Sequence, residues 1–145
     1  MAFLETEART ALLAAPLVSE HVGTRIFLGA APQDAERPYI VISCDAQERL
    51  PVHGVRSSQT QGVLGIVEYI DVATYANEYG VARALEANIL TTLEGVTTDS
   101  SNSPWQFEDW SMTFEYETQS GADQKGWENI LTFKVFRKEL WLPPA

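Results

Sequence analysis

Two histidines and one cysteine are the side chains of this 145-residue chain best suited to nucleophilic or metal chemistry. A structural zinc site needs four Cys or His ligands, and His21, His53 and Cys44 are the whole supply. Cys44 ends an apolar run, which favours a buried, unreactive thiol over a nucleophile. The sequence alone leaves a Cys–His pair open, but neither histidine stands at a spacing that indicates one.

Carboxylates are the other groups that could carry chemistry. Glu115 and Glu117 fall on one face of an alternating segment, and Glu68 lies in the middle of another segment. Two acids on one strand could form a catalytic pair or a site for a hard cation. A solvated acidic face is the simpler interpretation, and no phosphate-binding glycine loop or nucleophile elbow follows any strand. We therefore predict no catalytic residue, no metal ligand and no cofactor.

The formal net charge of −10 at pH 7 bears on the class of partner. Nucleic-acid binding needs clustered basic side chains that displace counterions, whereas the basic residues of this chain are scattered. We therefore expect no tight nucleic-acid binding. The N-terminus lacks the pattern of a secretory signal and no apolar run approaches the ~20 residues that span a bilayer. We expect a protein that stays in the cytoplasm of the cell that makes it and does not enter a membrane.

The hydrophobic pattern predicts one domain over residues 1–145. A helix is expected from Glu5 to Ala15, ended by Pro16, and a second from Asn77 to Leu93, with Gly95 as its stop. Five segments rich in β-branched and aromatic residues predict strands: Arg25–Leu28, Tyr39–Cys44, Gly62–Tyr75, Trp110–Glu117 and Trp127–Phe136. The predicted fold class is α+β, with a mixed, mainly antiparallel sheet and two helices packed on one face.

Two of the predicted strands differ in how their apolar residues are arranged. Gly62–Tyr75 carries apolar side chains on both faces, which indicates a central strand covered twice, once by the helices and once by a neighbouring subunit. In the later strand, Trp110, Met112 and Phe114 alternate with polar residues, which predicts burial of one face only.

The polar segment Ala46–Gln61 is predicted to be a long loop, and long loops in compact domains are usually functional. Ordering its backbone costs roughly 1–2 kcal/mol per residue, so we expect it to become ordered on a neighbouring subunit or partner. The apolar tail from Trp141 is expected to continue neither a helix nor a central strand. The candidate partner-binding residues are the apolar positions of these two segments: Leu50, Pro51, Val52, Val55, Trp141 and Leu142.

Short motifs are spread over nearly the whole chain. They are Gly23-Thr24-Arg25-Ile26, then Pro32-Gln33 followed by Pro38-Tyr39-Ile40-Val41, and a helix from Ala82 to Leu93 with Leu and Ile at four-residue spacing. In this order, with a long loop between strands and a terminal hairpin, they resemble the tail terminator, or tail-completion, proteins of long-tailed bacteriophages.

This resemblance implies a structural role. Such proteins form a ring, usually a hexamer, at the head-proximal end of the tail tube, where they stop tube polymerisation and present the surface that joins the head. The implied partners are further copies of the chain, the tail-tube protein and a head–tail connector protein, and the implied location is the virion. An acidic ring would let DNA pass without adhering. The candidates for its inner wall are Glu5, Glu7, Glu115 and Glu117.

Two other functions stay open at this stage. The chain could be a head-completion or neck ring protein of the same machinery, since those proteins share its size and charge. It could also be a small α+β enzyme or ligand-binding domain, with a site built from Glu68, Glu115 or His53.

Overall fold

A computed structural model describes residues 3–51, 62–101, 103–119 and 122–141 of the chain. In chain order the elements are α1 (Leu4–Leu13), α2 (Pro16–Val22), β1 (Ile26–Leu28), β2 (Tyr39–Pro51), β3 (Gly62–Ala76), α3 (Tyr79–Leu93), β4 (Gln106–Gln119) and β5 (Ala122–Trp141). No helix among these residues is long and apolar enough to cross a membrane.

The five strands form one sheet in the order β1-β2-β3-β5-β4. β1 runs parallel to β2, and the other neighbouring strands are antiparallel. The predicted α+β class with a mixed, mainly antiparallel sheet is therefore confirmed.

The helical layer contains three helices where the sequence predicted two. Pro16 ends the first helix, as expected, but it also begins α2. Proline is well suited to the first turn of a helix because the N–H that it lacks has no partner there. The second predicted helix is α3, and Gly95 follows its end with a φ of 77°, a conformation that favours glycine.

The helices share one core with the sheet face that they cover. Ile70 and Val72 of β3 lie beside Phe133 and Val135 of β5 in this core, all almost fully buried. The helices contribute residues at helical spacing: Leu4, Ala8 and Leu12 of α1, Val18 and Val22 of α2, and Leu85, Ile89 and Leu93 of α3. Complete burial of one such side chain contributes roughly 1.5–3 kcal/mol. The core is therefore what holds the helical layer on the sheet.

β3 is the central strand, as predicted, and it is buried on both faces. Ile70 and Val72 point to the helices, while Val67 and Ala73 lie on the helix-free face, each 8 % exposed. The residues beside Val67 and Ala73 are half-buried, including Phe136 and Ile130, their partners on β5. The neighbouring strands thus already shield the centre of the helix-free face.

The predicted loop from Ala46 to Gln61 is wrong over its first six residues. β2 continues to Pro51 instead of ending near Cys44, because a bulge between Cys44 and Ala46 shifts the register and lets a polar segment pair with the start of β3. Residues 52–61 lie outside the described part of the chain.

The C-terminal prediction needs a similar correction. β5 extends well beyond Phe136, and Trp141 pairs with Gly62 of β3, so Trp141 belongs to the sheet. Pairing with an equally long β3 lets the strand continue past the core. The hairpin between β4 and β5 was predicted, but Gln119 pairs with Ala122, so both strands extend into the segment Gln119–Gly126 that was expected to be the turn.

Candidate partner-binding surfaces

Three strands continue beyond the core at one end of the sheet. The core cluster shared with the helices reaches Ile70 on β3 and Val135 on β5, and Ile66 just beyond it is also fully buried. Past it lie residues 46–51 of β2, 62–67 of β3 and 136–141 of β5, paired side by side. We call these three segments the distal end of the sheet.

Candidate partner-binding residues from two remote parts of the sequence lie at the distal end. Pro51, next to Leu50 on β2, pairs with Leu64, and Trp141 on β5 pairs with Gly62. β3 thus lies between the two groups, and their backbones flank its first residues. The other candidates, Val52, Val55 and Leu142, lie outside the described residues.

A buried ion pair marks the boundary between the core and the distal end. Arg137 Nε donates a hydrogen bond of 2.6 Å to Glu68 Oε2, and these side chains are only 10 % and 6 % exposed. The sequence suggested that Glu68 belongs to a solvated acidic face. This is wrong, because Glu68 is buried and a cation on the neighbouring strand neutralises it. Such a pair stabilises only when its geometry is good, and removing one partner leaves a buried charge.

Cys44 and Glu5 complete a small cluster around this ion pair. The Cys44 thiol lies 3.6 Å from Glu68 Oε1, and ligand-type atoms of Glu5, Cys44 and Glu68 all lie within 4.8 Å of one another. Partial burial and the negative charge of Glu68 raise the pKa of the Cys44 thiol to about 11. A protonated thiol is a poor metal ligand, and Arg137 already neutralises Glu68, so we assign no metal to these groups.

The prediction for Cys44 is half right. Its raised pKa disfavours the reactive thiolate, as expected, but the residue is only partly enclosed and counts as exposed, whereas the sequence predicted a buried thiol. Cys44 is the last residue of β2 before the bulge, and the core ends at Ile42 on this strand.

Glu7, a candidate for the wall of a channel, has a structural role. Its Oε1 accepts a hydrogen bond of 3.0 Å from the backbone N–H of Ser100, which ties α1 to the loop before β4. Burial alone would raise the pKa of Glu7, but hydrogen bonds from Ser100 and Thr98 outweigh it and lower the pKa. Trp105 also holds this loop. Its buried indole N–H donates a hydrogen bond to Thr98 Oγ1, and its ring packs edge-on against Phe133 of the core.

Exposed aromatic side chains form a second surface, which the sequence did not predict. Phe107, Trp110 and Phe114 of β4 and Tyr79 of α3 are between 37 and 49 % exposed. The alternation around Trp110 was expected to bury Trp110 and Phe114. It does not, because β4 is the edge strand and α3 packs over β3 and β5. We call these four residues the aromatic ridge.

A bulge in β4 puts the ridge residues on one face. Phe107 and Trp110 are three positions apart, so a regular strand would point them to opposite sides. The register shift between Phe107 and Asp109 corrects this, and Phe107 and Trp110 pair with Phe133 and Leu131, which both face the helices.

The ridge has ordered contacts beneath and beside it. Trp127 lies 5.1 Å from the ring of Tyr79 and 4.9 Å from that of Phe114, measured between centroids. The Arg83 guanidinium lies 5.9 Å from the ring centroids of both Tyr79 and Trp110, and Arg83 Nη1 donates to the Tyr79 hydroxyl. In both contacts the guanidinium is attracted to the negative face of the aromatic ring. The exposed rings are therefore held in defined positions.

Besides these aromatic residues, β4 carries charged residues that are all acidic. The strand contains four acids and no lysine or arginine: Glu108, Asp109, Glu115 and Glu117. Asp109, Glu115 and Glu117 occupy register positions opposite Thr132, Gly126 and Gln124, and these positions alternate with those of Trp110 and Phe114. Aromatic and acidic positions thus fall in different registers of the edge strand.

The helix-free face carries a further acid with a shifted pKa. The Thr132 hydroxyl donates a hydrogen bond of 2.7 Å to Asp71 Oδ1 across β5 and β3. Burial raises the pKa of Asp71, the hydrogen bond from Thr132 opposes this effect, and the charge of Asp45 adds to it. The net result is a raised pKa.

The fold defines a class, a small α+β subunit whose five-stranded mixed sheet is covered by helices on one face. The same fold occurs in a solved structure described as the virion of a native gene transfer agent (GTA) particle. The two chains superpose with a TM-score of 0.64 at 14 % identity, over 94 % of this chain and 95 % of the other.

A family model gives the particular assignment. The model described as tail completion protein gp17 matches residues 7–123, which include most of the elements of the fold. The chain therefore belongs to the tail completion protein gp17 family and is a structural protein of a phage tail. No curated protein sequence matches the chain.

Proposed function

We propose that the chain is a tail terminator, which forms a hexameric ring on the head-proximal end of the tail tube. The ring stops tube polymerisation and provides the surface that joins the head. The observation that carries the proposal is the family match over residues 7–123. Membership of a tail completion family supports a role at the end of tail assembly, where a terminator acts.

The distal end of the sheet is the surface that we assign to the contact between subunits of the ring. A ring requires a heterologous interface, in which one patch of a subunit contacts a different patch of the next. The distal end extends past the main core cluster of its own subunit and places Pro51 and Trp141 on the two sides of β3, with Leu50 next to Pro51 in sequence. We assign to these residues, with Val52, Val55 and Leu142, the contact with a neighbouring subunit or with the tube.

The charge of the chain supports a channel through which DNA slides. A net charge of −10 per subunit gives a hexamer a strongly negative field, which repels phosphates. Glu7 anchors the loop at Ser100, and Glu5 lies in the cluster with Cys44 and Glu68. Glu115 and Glu117, on the edge strand, are the two remaining candidates for the inner wall.

A head-completion or neck ring protein is the second candidate. It would share the ring and the charge, and it would bind a head protein without stopping tube growth. An enzyme or ligand-binding domain built on Glu68 is disfavoured because Arg137 occupies one oxygen of that carboxylate and the Cys44 thiol approaches the other.

Electron microscopy of the purified protein mixed with polymerised tube protein tests the proposal. We expect rings at one end of each tube and none along its length. A protein that never appears at tube ends, with a fold verified by circular dichroism, would exclude the terminator role.

A further inference from the structure

We propose that the outer edge of β4, together with the aromatic ridge, binds an extended segment of a different protein in which apolar residues alternate with lysines or arginines. The inference goes beyond the ring, since the occupant is not a second copy of this chain. It also does not require that a ring forms, and where the segment is bound, Glu115 and Glu117 contact it and do not line a channel.

The backbone of β4 provides the first part of the surface. β4 is the last strand of the sheet, and no strand in the described part of the chain pairs with its outer edge. Alternate backbone N–H and C=O groups on such an edge point outward and can pair with an added strand. Addition of a strand to an open edge is a common way of binding extended peptides.

The aromatic ridge determines one face of the added strand. A strand beside β4 would pass close to Trp110 and Phe114 and could cover them with apolar side chains. Arg83 and Trp127 hold these rings in place, so little ordering is needed on binding. The ridge residues Trp110 and Tyr79 lie beside Arg83, and Trp, Tyr and Arg are the residue types that dominate binding energy at interfaces.

The acids of β4 determine the other face. Asp109, Glu115 and Glu117 hold register positions that alternate with those of Trp110 and Phe114, so the residues of the added strand opposite these acidic positions should be basic. The occupant therefore alternates apolar residues toward the ridge with lysines or arginines toward the acids.

The same charges argue against a second copy as the occupant. Two β4 edges paired together would bring eight carboxylates into one ladder without a single basic residue, because each strand carries four acids. Like charges on neighbouring strands destabilise their pairing. The acidic edge thus favours a basic strand and disfavours self-association through β4.

Binding of synthetic peptides to the full chain tests this inference. The probe is a peptide of alternating valine and lysine; the controls are one of alternating valine and glutamate, and one with its valines and lysines in two separate blocks. We expect the alternating Val–Lys peptide to bind best and to slow amide hydrogen exchange along β4. Trp110→Ala and Phe114→Ala should each weaken binding about tenfold, equivalent to about 1.4 kcal/mol. Leu17→Ala, which shortens an exposed apolar side chain on α2, is the matched control and should leave binding unchanged.

Several results would overturn the inference. They are no binding of the alternating Val–Lys peptide, equal binding of the Val–Glu or block peptide, or binding that neither ridge variant weakens. Self-association of the chain that Trp110→Ala abolishes would show that a second copy occupies the edge instead. Circular dichroism of each variant verifies that the fold is intact. Since the peptides need no tube or ring, these results are independent of the terminator proposal.

Discussion

Glu68 of β3 and Arg137 of β5 are joined by a buried hydrogen-bonded ion pair at the point where the core ends and the distal end begins. Arg137 pairs in register with Ile66, so the contact to Glu68 runs diagonally between the strands. A slip of one residue would turn Arg137 to the other face of the sheet. The pair therefore holds the distal strands in a single register.

Removing one partner of this ion pair should strongly destabilise the protein. Glu68→Gln leaves Arg137 charged and buried, and we expect a loss of about 3–5 kcal/mol in the free energy of unfolding, measured by urea denaturation. The double variant Glu68→Leu with Arg137→Met should be much closer to wild type, since two apolar side chains leave no unpaired charge. A single variant as stable as the double variant would contradict the importance of the pair.

The thiol of Cys44 reports on the same cluster. Because the charge of Glu68 contributes to the raised pKa of Cys44, Glu68→Gln should lower that pKa toward the ordinary value. Alkylation by iodoacetamide at mildly alkaline pH should therefore become faster in the variant. Glu48→Gln, an exposed position beyond the bulge of β2, is the control and should leave the rate unchanged. An unchanged rate in Glu68→Gln would show that Glu68 does not act on the thiol.

Asp71→Asn should stabilise the protein at neutral pH. The folded-state pKa of Asp71 is raised, so its ionised form is disfavoured by folding, and this cost disappears as the pH falls through the raised pKa. Asparagine keeps an oxygen that accepts the hydrogen bond from Thr132 and carries no charge. We expect a gain of less than about 1 kcal/mol, since the carboxylate is partly solvated. Thermal unfolding should show the gain at pH 7 and a smaller difference in acid; a destabilised variant at pH 7 would contradict the assignment.

Glu7→Gln should have the opposite pH dependence. The folded-state pKa of Glu7 is lowered, so its contribution is present at neutral pH and is lost as the pH falls through the folded-state value. The variant should be less stable than wild type at pH 7 by under about 1 kcal/mol, because Glu7 is only partly buried and solvent screens its interactions. The two proteins should converge in strong acid. Glu20→Gln, an exposed acid on α2, serves as the control.

Replacement of residues 52–61 by an Asn-Gly turn should leave the domain folded. The strand segments on both sides pair with each other up to Pro51 and Leu64. The core cluster shared with the helices begins further along these strands, at Ile70 on β3 and Ile42 on β2. If this segment contacts the tube or a neighbouring subunit, the same variant should yield tails of uncontrolled length or tails that do not join heads. Wild-type yields of infectious particles from a stably folded variant would remove residues Val52 and Val55 from the proposed contact.

Much of the fold could be predicted from the sequence because each element has a strong local pattern. The apolar runs of β3 and the helical spacing in α3 led to the correct element types. Where β2 and β5 end could not be predicted in this way. Their outer halves are polar or mixed, and pairing with β3 keeps them in the sheet beyond the core.

The surfaces were harder to predict for a related reason. The alternation around Trp110 indicates a strand with one apolar face, and only the strand order shows that this face lies beyond the helical layer. The partner of Glu68 is remote in sequence, and only the register of β3 with β5 brings Arg137 to it. The acidic stretch of β4, without a basic residue, is visible in the sequence, but its meaning depends on the position of β4 at the edge.

The length of tail tubes grown in the presence of the protein tests the terminator role most directly. Tube subunits are polymerised with increasing amounts of the full chain, and tube lengths are measured by electron microscopy. We predict that the mean length falls as the protein concentration rises and that rings are seen on the shortened tubes. Tubes that reach the same length at every concentration of the folded protein would contradict the account.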